Sequence, residues 1–291
     1  MSLPQIDVRV WNTNTNRAVV ETVELNEDGT YKEDGEYRIP GVNSTGSEVK
    51  IAWLDPAGSM TGKLFPSGKQ QEMLPVQPPT SLPHIAPFEA KITLIDSANP
   101  FIFVDAAFIS SQLQKLASPD EQHALIEAIR QQAAVVMGLA ESPEAAAKTR
   151  GTPKIALTYA PLRRAGKTSS DIRISAYSMG LPHPTLQLSG AVCVASGLCC
   201  SGTILSDLAA KPIDADDTPI TPERTPSPPG AKESHLKPGD EARNVVIEHS
   251  KGTIDASVVA TQSTDGEERI VSCSVSRTAR RLFEGNVRYF I

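Results

Sequence analysis

The chain has 291 residues, a formal net charge of −6 at pH 7, 21% charged and 40% hydrophobic residues. That is enough apolar material for a buried core and enough length for two domains of ordinary size. Interspersed acids and bases with a negative sum argue against a nucleic-acid partner, and no run approaches the roughly 20 apolar residues of a membrane span.

Ile6, Val8 and Val10 alternate with Asp7, Arg9 and Trp11, the period of a strand. Asn12 to Arg17 is a polar turn, Ala18 to Leu25 resumes a strand, and Asn26-Glu27-Asp28-Gly29 makes a hairpin-like connection. Tyr37–Val42 and Glu48–Pro56 continue the short strands without a helix to cover them. Gly58 to Gly68, dense in Gly, Ser and Thr, superficially looks like a phosphate cradle but lacks GxxxxGK[ST] spacing. On its own it reads as a surface loop carrying Lys63. The proline-rich stretch Pro75 to Pro87 reads as an extended connector and marks a domain boundary.

Two strand-like runs follow over Phe88–Ile109, hinged at Asp96 to Pro100. Ser118-Pro119-Asp120-Glu121 then combines an N-cap serine, proline at N1 and an acid at N3, the capping-box arrangement. Leu125, Ile129 and Val136 supply the apolar stripe of that helix, and Gly138 its stop. A short second helix begins at Ser142-Pro143-Glu144, and Lys154–Pro161 is a buried strand. In Asp171–Met179, Ile172, Ile174 and Ala176 alternate with Arg173 and Ser175, a strand leading into Tyr177–Gly202. That segment reads as a strand end, a tight Gly-Leu-Pro-His turn, and a helix that is apolar or small nearly all round. Such a helix must be surrounded by protein. Its start offers unpaired N–H groups and the positive end of the dipole, a ready anion site.

Lys211 to Asp240 holds seven prolines and almost no large apolar residues, so a flexible excursion is expected. Within it Thr218, Thr221, Thr225 and Ser227 each precede proline and are candidates for proline-directed phosphorylation. Asn244–His249, the turn Ser250-Lys251-Gly252 and Thr253–Ser263 form a hairpin, and Glu268–Phe290 closes the chain with two more strands. The sum is an α+β protein, rich in strands with few helices. Cys193, Cys199, Cys200 and Cys273 lack CxxC spacing and two are adjacent, so no disulfide framework or metal site is expected. With no basic-then-apolar leader at the start, the expectation is a reduced, cytoplasmic protein.

Six pieces in order carry a resemblance: Asn12-Thr13-Asn14-Thr15, Thr61–Gly68, Asp96–Val104, Ser178–Cys193, Ile247–Gly252 and Ser276–Val287. Together they resemble the 2-methylaconitate cis–trans isomerase family, methylitaconate and aconitate Δ-isomerases included, of the diaminopimelate-epimerase-like fold. The likeness spans the chain apart from the proline-rich insert. His249-Ser250-Lys251-Gly252 departs from the family's His-Pro-Ser-Gly, which implies a divergent branch.

The resemblance implies two similar domains, each a curved sheet around a central helix, with the active site in the cleft between them. The helix after Gln187 would be the second of these, and Gly190, Ala191, Ala195 and Gly197 would let backbones approach closely. It also implies isomerisation of a small unsaturated di- or tricarboxylic acid by a proton shift next to a carboxylate, with no metal or organic cofactor. The family's catalytic lysine and its Cys-Gly-Asn cysteine precede the strand that is here residues 6–11, so by that comparison the chain is N-terminally truncated. Residues 1–87 would be a remnant of the first domain, rejoined by 270–291, and 88–269 the second domain with its insert at 211–240.

No catalytic residue is assigned. Lys63 matches the family's glycine-rich-loop lysine. Substrate-binding candidates are Asn99, His183, Thr185, Ser189, Gly190 and Lys63; the His183 imidazole, just before the helix, suits a carboxylate. Ser189 is read as one turn inside the helix, where a hydroxyl can instead bond back to a carbonyl. Cys193, deep in an apolar helix, is expected to be a structural thiol with a raised pKa. His249 ends a strand, and His84 and His235 lie in proline-rich segments. Three readings stay open: an isomerase, a non-catalytic carboxylate-binding remnant, or a partial gene model. Expected partners are a small carboxylic acid and a second copy of the chain, paired through an exposed half-domain edge, with no nucleic acid and no membrane.

Overall fold

A computed structural model describes residues 4–164, 167–214, 242–262, 268–286 and 288. Most of the proline-rich insert, with Thr218, Thr221, Thr225, Ser227 and His235, lies outside the described residues. Among those described, twelve strands build one sheet: β1 (Gln5–Asn12), β2 (Arg17–Glu24), β3 (Val49–Leu54), β4 (Glu72–Val76), β5 (Phe88–Asp96), β6 (Pro100–Asp105), β7 (Lys154–Tyr159), β8 (Ile172–Ser178), β9 (Leu181–Pro182), β10 (Arg243–His249), β11 (Gly252–Gln262) and β12 (Glu268–Arg277). The order is β1-β2-β3-β12-β11-β10-β8-β7-β6-β5-β4, with β9 beside β8. Only β6 with β7 and β8 with β10 run parallel. The helices are α1 (Ser110–Leu113), α2 (Pro119–Val136), α3 (Pro143–Lys148), α4 (Leu188–Cys199) and α5 (Ile204–Ala209). The fold is α+β, as expected, and no described helix is long and apolar enough to cross a membrane.

The sheet curves around α4, which packs against β10, β11 and β12 on one side and β5 and β6 on the other. Period-two alternation explains how one strand serves two layers. On β6, Phe101 and Phe103 face α4 and stack with ring centroids 5.0 Å apart, while Ile102 and Val104 face the layer of α2. β7 divides likewise, Ala156 toward α4 and Ile155 and Leu157 toward α2. Small residues let α4 sit this deep. A Cβ on Gly190 would lie 2.9 Å from both Leu186 Cδ1 and Phe101 Cε2, and one on Gly197 would collide with Leu205 Cδ1. Overfilling of that kind costs about 1–3 kcal/mol.

The local signals for α2 hold. Ser118 Oγ accepts from Glu121 N–H at 3.3 Å, and Glu121 Oε2 accepts from Ala117 N–H at 2.6 Å. Gly138, at φ +71°, ends the helix with Gly138 N–H donating to Val135 and Leu139 N–H to Ala134, a Schellman closure. Val136 does not join the apolar stripe: it is exposed, and Met137 is buried in its place. At the other end of the sheet, β1 is exposed along both faces, including Ile6, Val8, Val10 and Trp11. β2 and β3 bury Val19, Val20, Val49 and Ala52.

Candidate carboxylate site at the start of the central helix

The turn into α4 differs from the expected Gly-Leu-Pro-His. Met179 (φ +56°) and Gly180 (φ +76°) make the reversal, and Leu181–Pro182 runs back along Tyr177–Ser178. His183 N–H still reaches Ala176 O at 2.8 Å. The helix begins at Leu188, so Ser189 is its second residue and Gly190 its third, not a turn inside. The correction matters chemically. The amides of Leu188, Ser189 and Gly190 are among the first, which no helix can satisfy by itself. The cap residue Gln187 makes no side-chain capping bond, and these three N–H groups donate to nothing among the described residues. The side-chain carboxamide of Gln187, both Nε2 and Oε1, is itself buried without a hydrogen-bond partner among the described residues.

Three other segments close on this end. Ser250 Oγ, in the turn between β10 and β11, donates to Pro184 O at 2.8 Å. Arg277, at the end of β12, donates through Nη2 to Leu186 O at 3.1 Å and through Nη1 to Ser276 O at 3.3 Å. Gly41 approaches Thr185 and Lys251 closely enough that a Cβ there would touch both. Thr185 uses its N–H on His183 Nδ1 at 3.2 Å. His249, 8% exposed, accepts from Lys251 N–H through Nδ1 at 3.2 Å. Burial, then the Arg277 charge, then His183 pull its pKa down to about 4, so the ring is neutral near pH 7. Burial also lowers the pKa of Arg277 from its ordinary value, leaving it charged. No carboxylate lies within ion-pair distance of it among the described residues.

His183, Thr185, Ser189 and Gly190 are therefore brought together, while Lys63 and Asn99 belong to a different cluster. Asp96, fully buried at the end of β5, accepts from Met60 N–H (2.8 Å), Thr61 N–H (2.6 Å), Thr61 Oγ1 (2.8 Å) and Ser59 Oγ. The loop around Gly58 does cradle an anion, but the anion is the protein's own carboxylate. Gly58 holds φ +67°, and a Cβ there would lie 2.5 Å from the Gly62 carbonyl carbon. Lys63 rides exposed on this loop. Asn99 Nδ2 donates to Pro100 O at 3.2 Å, and the Asn99 carbonyl accepts from Cys193.

Cys193 is fully buried and donates to Ser97 O at 2.9 Å and Asn99 O at 3.0 Å, and burial pushes its pKa up. It holds the Asp96–Asn99 hinge against α4, the structural part expected of it. Sequence reasoning missed Asp96, Gln187 and Arg277, and gave His249 little weight. The signal for Asp96 was a carboxylate opposite a loop of Gly, Ser and Thr. Among the described residues no three His, Cys, Asp or Glu side chains are grouped to hold a metal ion.

A sheet wound round one small-residue helix is the architecture of the diaminopimelate-epimerase-like isomerase fold. The chain matches the crystal structure of methylitaconate-delta-isomerase with a TM-score of 0.66 and 26% identity, over 99% of this chain and 67% of that one. Within that fold the chain belongs to the PrpF protein family, which matches residues 1–216. YraM of Bacillus subtilis (strain 168) is 30% identical over 98% of this chain and 66% of its own length. The 2-methyl-aconitate isomerase of Cupriavidus necator is 27% identical over 97% of this chain and 65% of its own length. The chain thus spans about two thirds of the length of the curated relatives it matches. The resemblance carried by the six motifs holds.

Proposed function

We propose that the start of α4 binds a carboxylate of a small unsaturated di- or tricarboxylic acid, as part of a cofactor-independent isomerase that shifts a proton next to that carboxylate. The observation that carries this is the uncapped helix start: three amides without acceptors beside a charged, half-buried Arg277 that has no acid partner among the described residues. Donors so placed stabilise the charge that grows on a carboxylate when its neighbouring carbon loses a proton. Family membership supports the reaction class, since relatives carry the names 2-methyl-aconitate isomerase and 3-methylitaconate isomerase.

A second reading, carboxylate binding without turnover, is favoured by one feature. A general base must lie within hydrogen-bond reach of the proton it removes. Among the described residues near α4 the Nδ1 atoms of His183 and His249 are taken by backbone N–H groups, while Cys193 is sealed in the core and Lys63 sits on the other cluster. The experiment that separates the two is NMR of trans-aconitate in D₂O with the purified chain. Protein-dependent deuterium uptake establishes isomerase-type chemistry, and none above buffer sinks it for this polypeptide. The proposal extends to self-association along β1, an edge strand with Ile6, Val8 and Val10 exposed. Light scattering should then report a dimer or larger, and a clean monomer refutes it.

A further inference from the structure

The cluster at α4 holds more donors than one carboxylate needs. In both His183 and His249 a backbone N–H two residues on donates to Nδ1, at 3.2 Å in each case. An Nδ1 that accepts cannot carry the proton, so each neutral ring has its hydrogen on Nε2. Neither Nε2 makes a hydrogen bond among the described residues, although His249 is more than nine-tenths buried. Arg277 lies near enough for its charge to act on His249; its guanidinium donates to two carbonyl oxygens, and the Tyr37 phenol also lies within reach of its charge. The Ser250–Pro184 bond ties the His249 turn to the His183 segment, so the two rings are held on one joined surface. Asp255 lines the same cavity as Arg277. Two N–H groups and a partly desolvated cation with no acid at ion-pair distance among the described residues form an arrangement that an anion completes.

We infer that His249, with His183 and Arg277, binds a second carboxylate of the same substrate through its Nε2–H, while the α4 amides take the first. This deepens the proposed carboxylate-binding function and rests on it. It makes the preferred ligand an acid with at least two carboxylates, and His249 a specificity-determining residue that acts as a donor, not as a base.

The test uses the full chain with trans-aconitate and with crotonate, an unsaturated acid with one carboxylate. In imidazole and amide ¹H–¹⁵N spectra of the unmodified protein, trans-aconitate should shift the Nε2–H signals of His249 and His183 together with the Ser189 and Gly190 amides. Crotonate should move the amides alone. In calorimetry His249→Phe should weaken trans-aconitate binding about tenfold or more, the scale of a hydrogen bond to a charged group, and leave crotonate within about twofold. His249→Gln, which keeps an N–H donor, should recover most of the loss. If the Ser189 and Gly190 amides shift while His249 Nε2–H stays fixed, the inference fails and the carboxylate site stands. If neither moves, both fall. Equal weakening of both acids by His249→Phe would mark a merely structural role and also overturn the inference.

Discussion

The neutrality of His249 predicts a specific acid weakness. In the folded chain its pKa is about 4, against 6.5 for an ordinary histidine, because burial and the Arg277 charge oppose protonation. Above pH 6.5 the ring is neutral whether the chain is folded or not, and its contribution to stability is complete. As pH falls from 6.5 toward 4 the unfolded chain binds a proton that the native site refuses, so stability is lost across that window and no further below it. At about 1.4 kcal/mol per pH unit, the gap corresponds to roughly 3 kcal/mol. His249→Asn isolates this contribution, since Asn Oδ1 can accept from Lys251 N–H as Nδ1 does but does not titrate. Urea unfolding followed by circular dichroism, at steps from pH 7 to pH 4, should show the parent losing roughly 3 kcal/mol more than the variant. A difference between the two that stays constant over the whole range would refute the reasoning.

Two further outcomes follow from the buried groups. Asp96→Asn turns an acceptor of four hydrogen bonds into a group with one oxygen and one NH₂ facing the same donors. It should cost about 2–4 kcal/mol in urea unfolding and raise hydrogen exchange at the Met60 and Thr61 amides; protected amides in the variant would count against it. Cys193, Cys200 and Cys273 are buried while Cys199 is partly exposed, so iodoacetamide should label Cys199 first and the others only in denaturant. Labelling of Cys193 in the folded protein as fast as Cys199 would reopen it as a reactive residue.

What could be read from the sequence was local, and what could not was assembled from distant strands. The caps at Ser118 and Ser142, the Gly138 stop and the alternation over Ile172–Ala176 are decided by residues within a few positions of each other. Val136 was misplaced because the last turn of α2 swings it outward and hands the core position to Met137. The start of α4 was misjudged for a related reason. Pro182 and Pro184 hold the residues before them extended, which keeps the chain out of helix until Gln187 and brings Ser189 and Gly190 into the first turn. Arg277 and His249 each fall in one of the six resembling motifs, but neither motif by itself says that the two residues meet. They end strands β12 and β10, are separated in the sheet by β11, and meet the loop before α4 only because the sheet curves round the helix.

The chain has two donor-rich clusters of opposite character. At the hinge after β5 the loop donors close on Asp96, an acid the chain supplies itself, and the cluster is complete. At α4 the donors are as numerous and Arg277 lies beside them, yet among the described residues no carboxylate is at ion-pair distance from it. Amides that lose water without gaining an acceptor cost the fold stability, and Arg277 has carbonyl oxygens but, among the described residues, no counter-charge as its acceptors. The Gly58 loop, the feature most like an anion cradle in the sequence, is thus part of the scaffold. The helix start, legible in the sequence as a dipole, is where the proposed acid would find its donors already arranged.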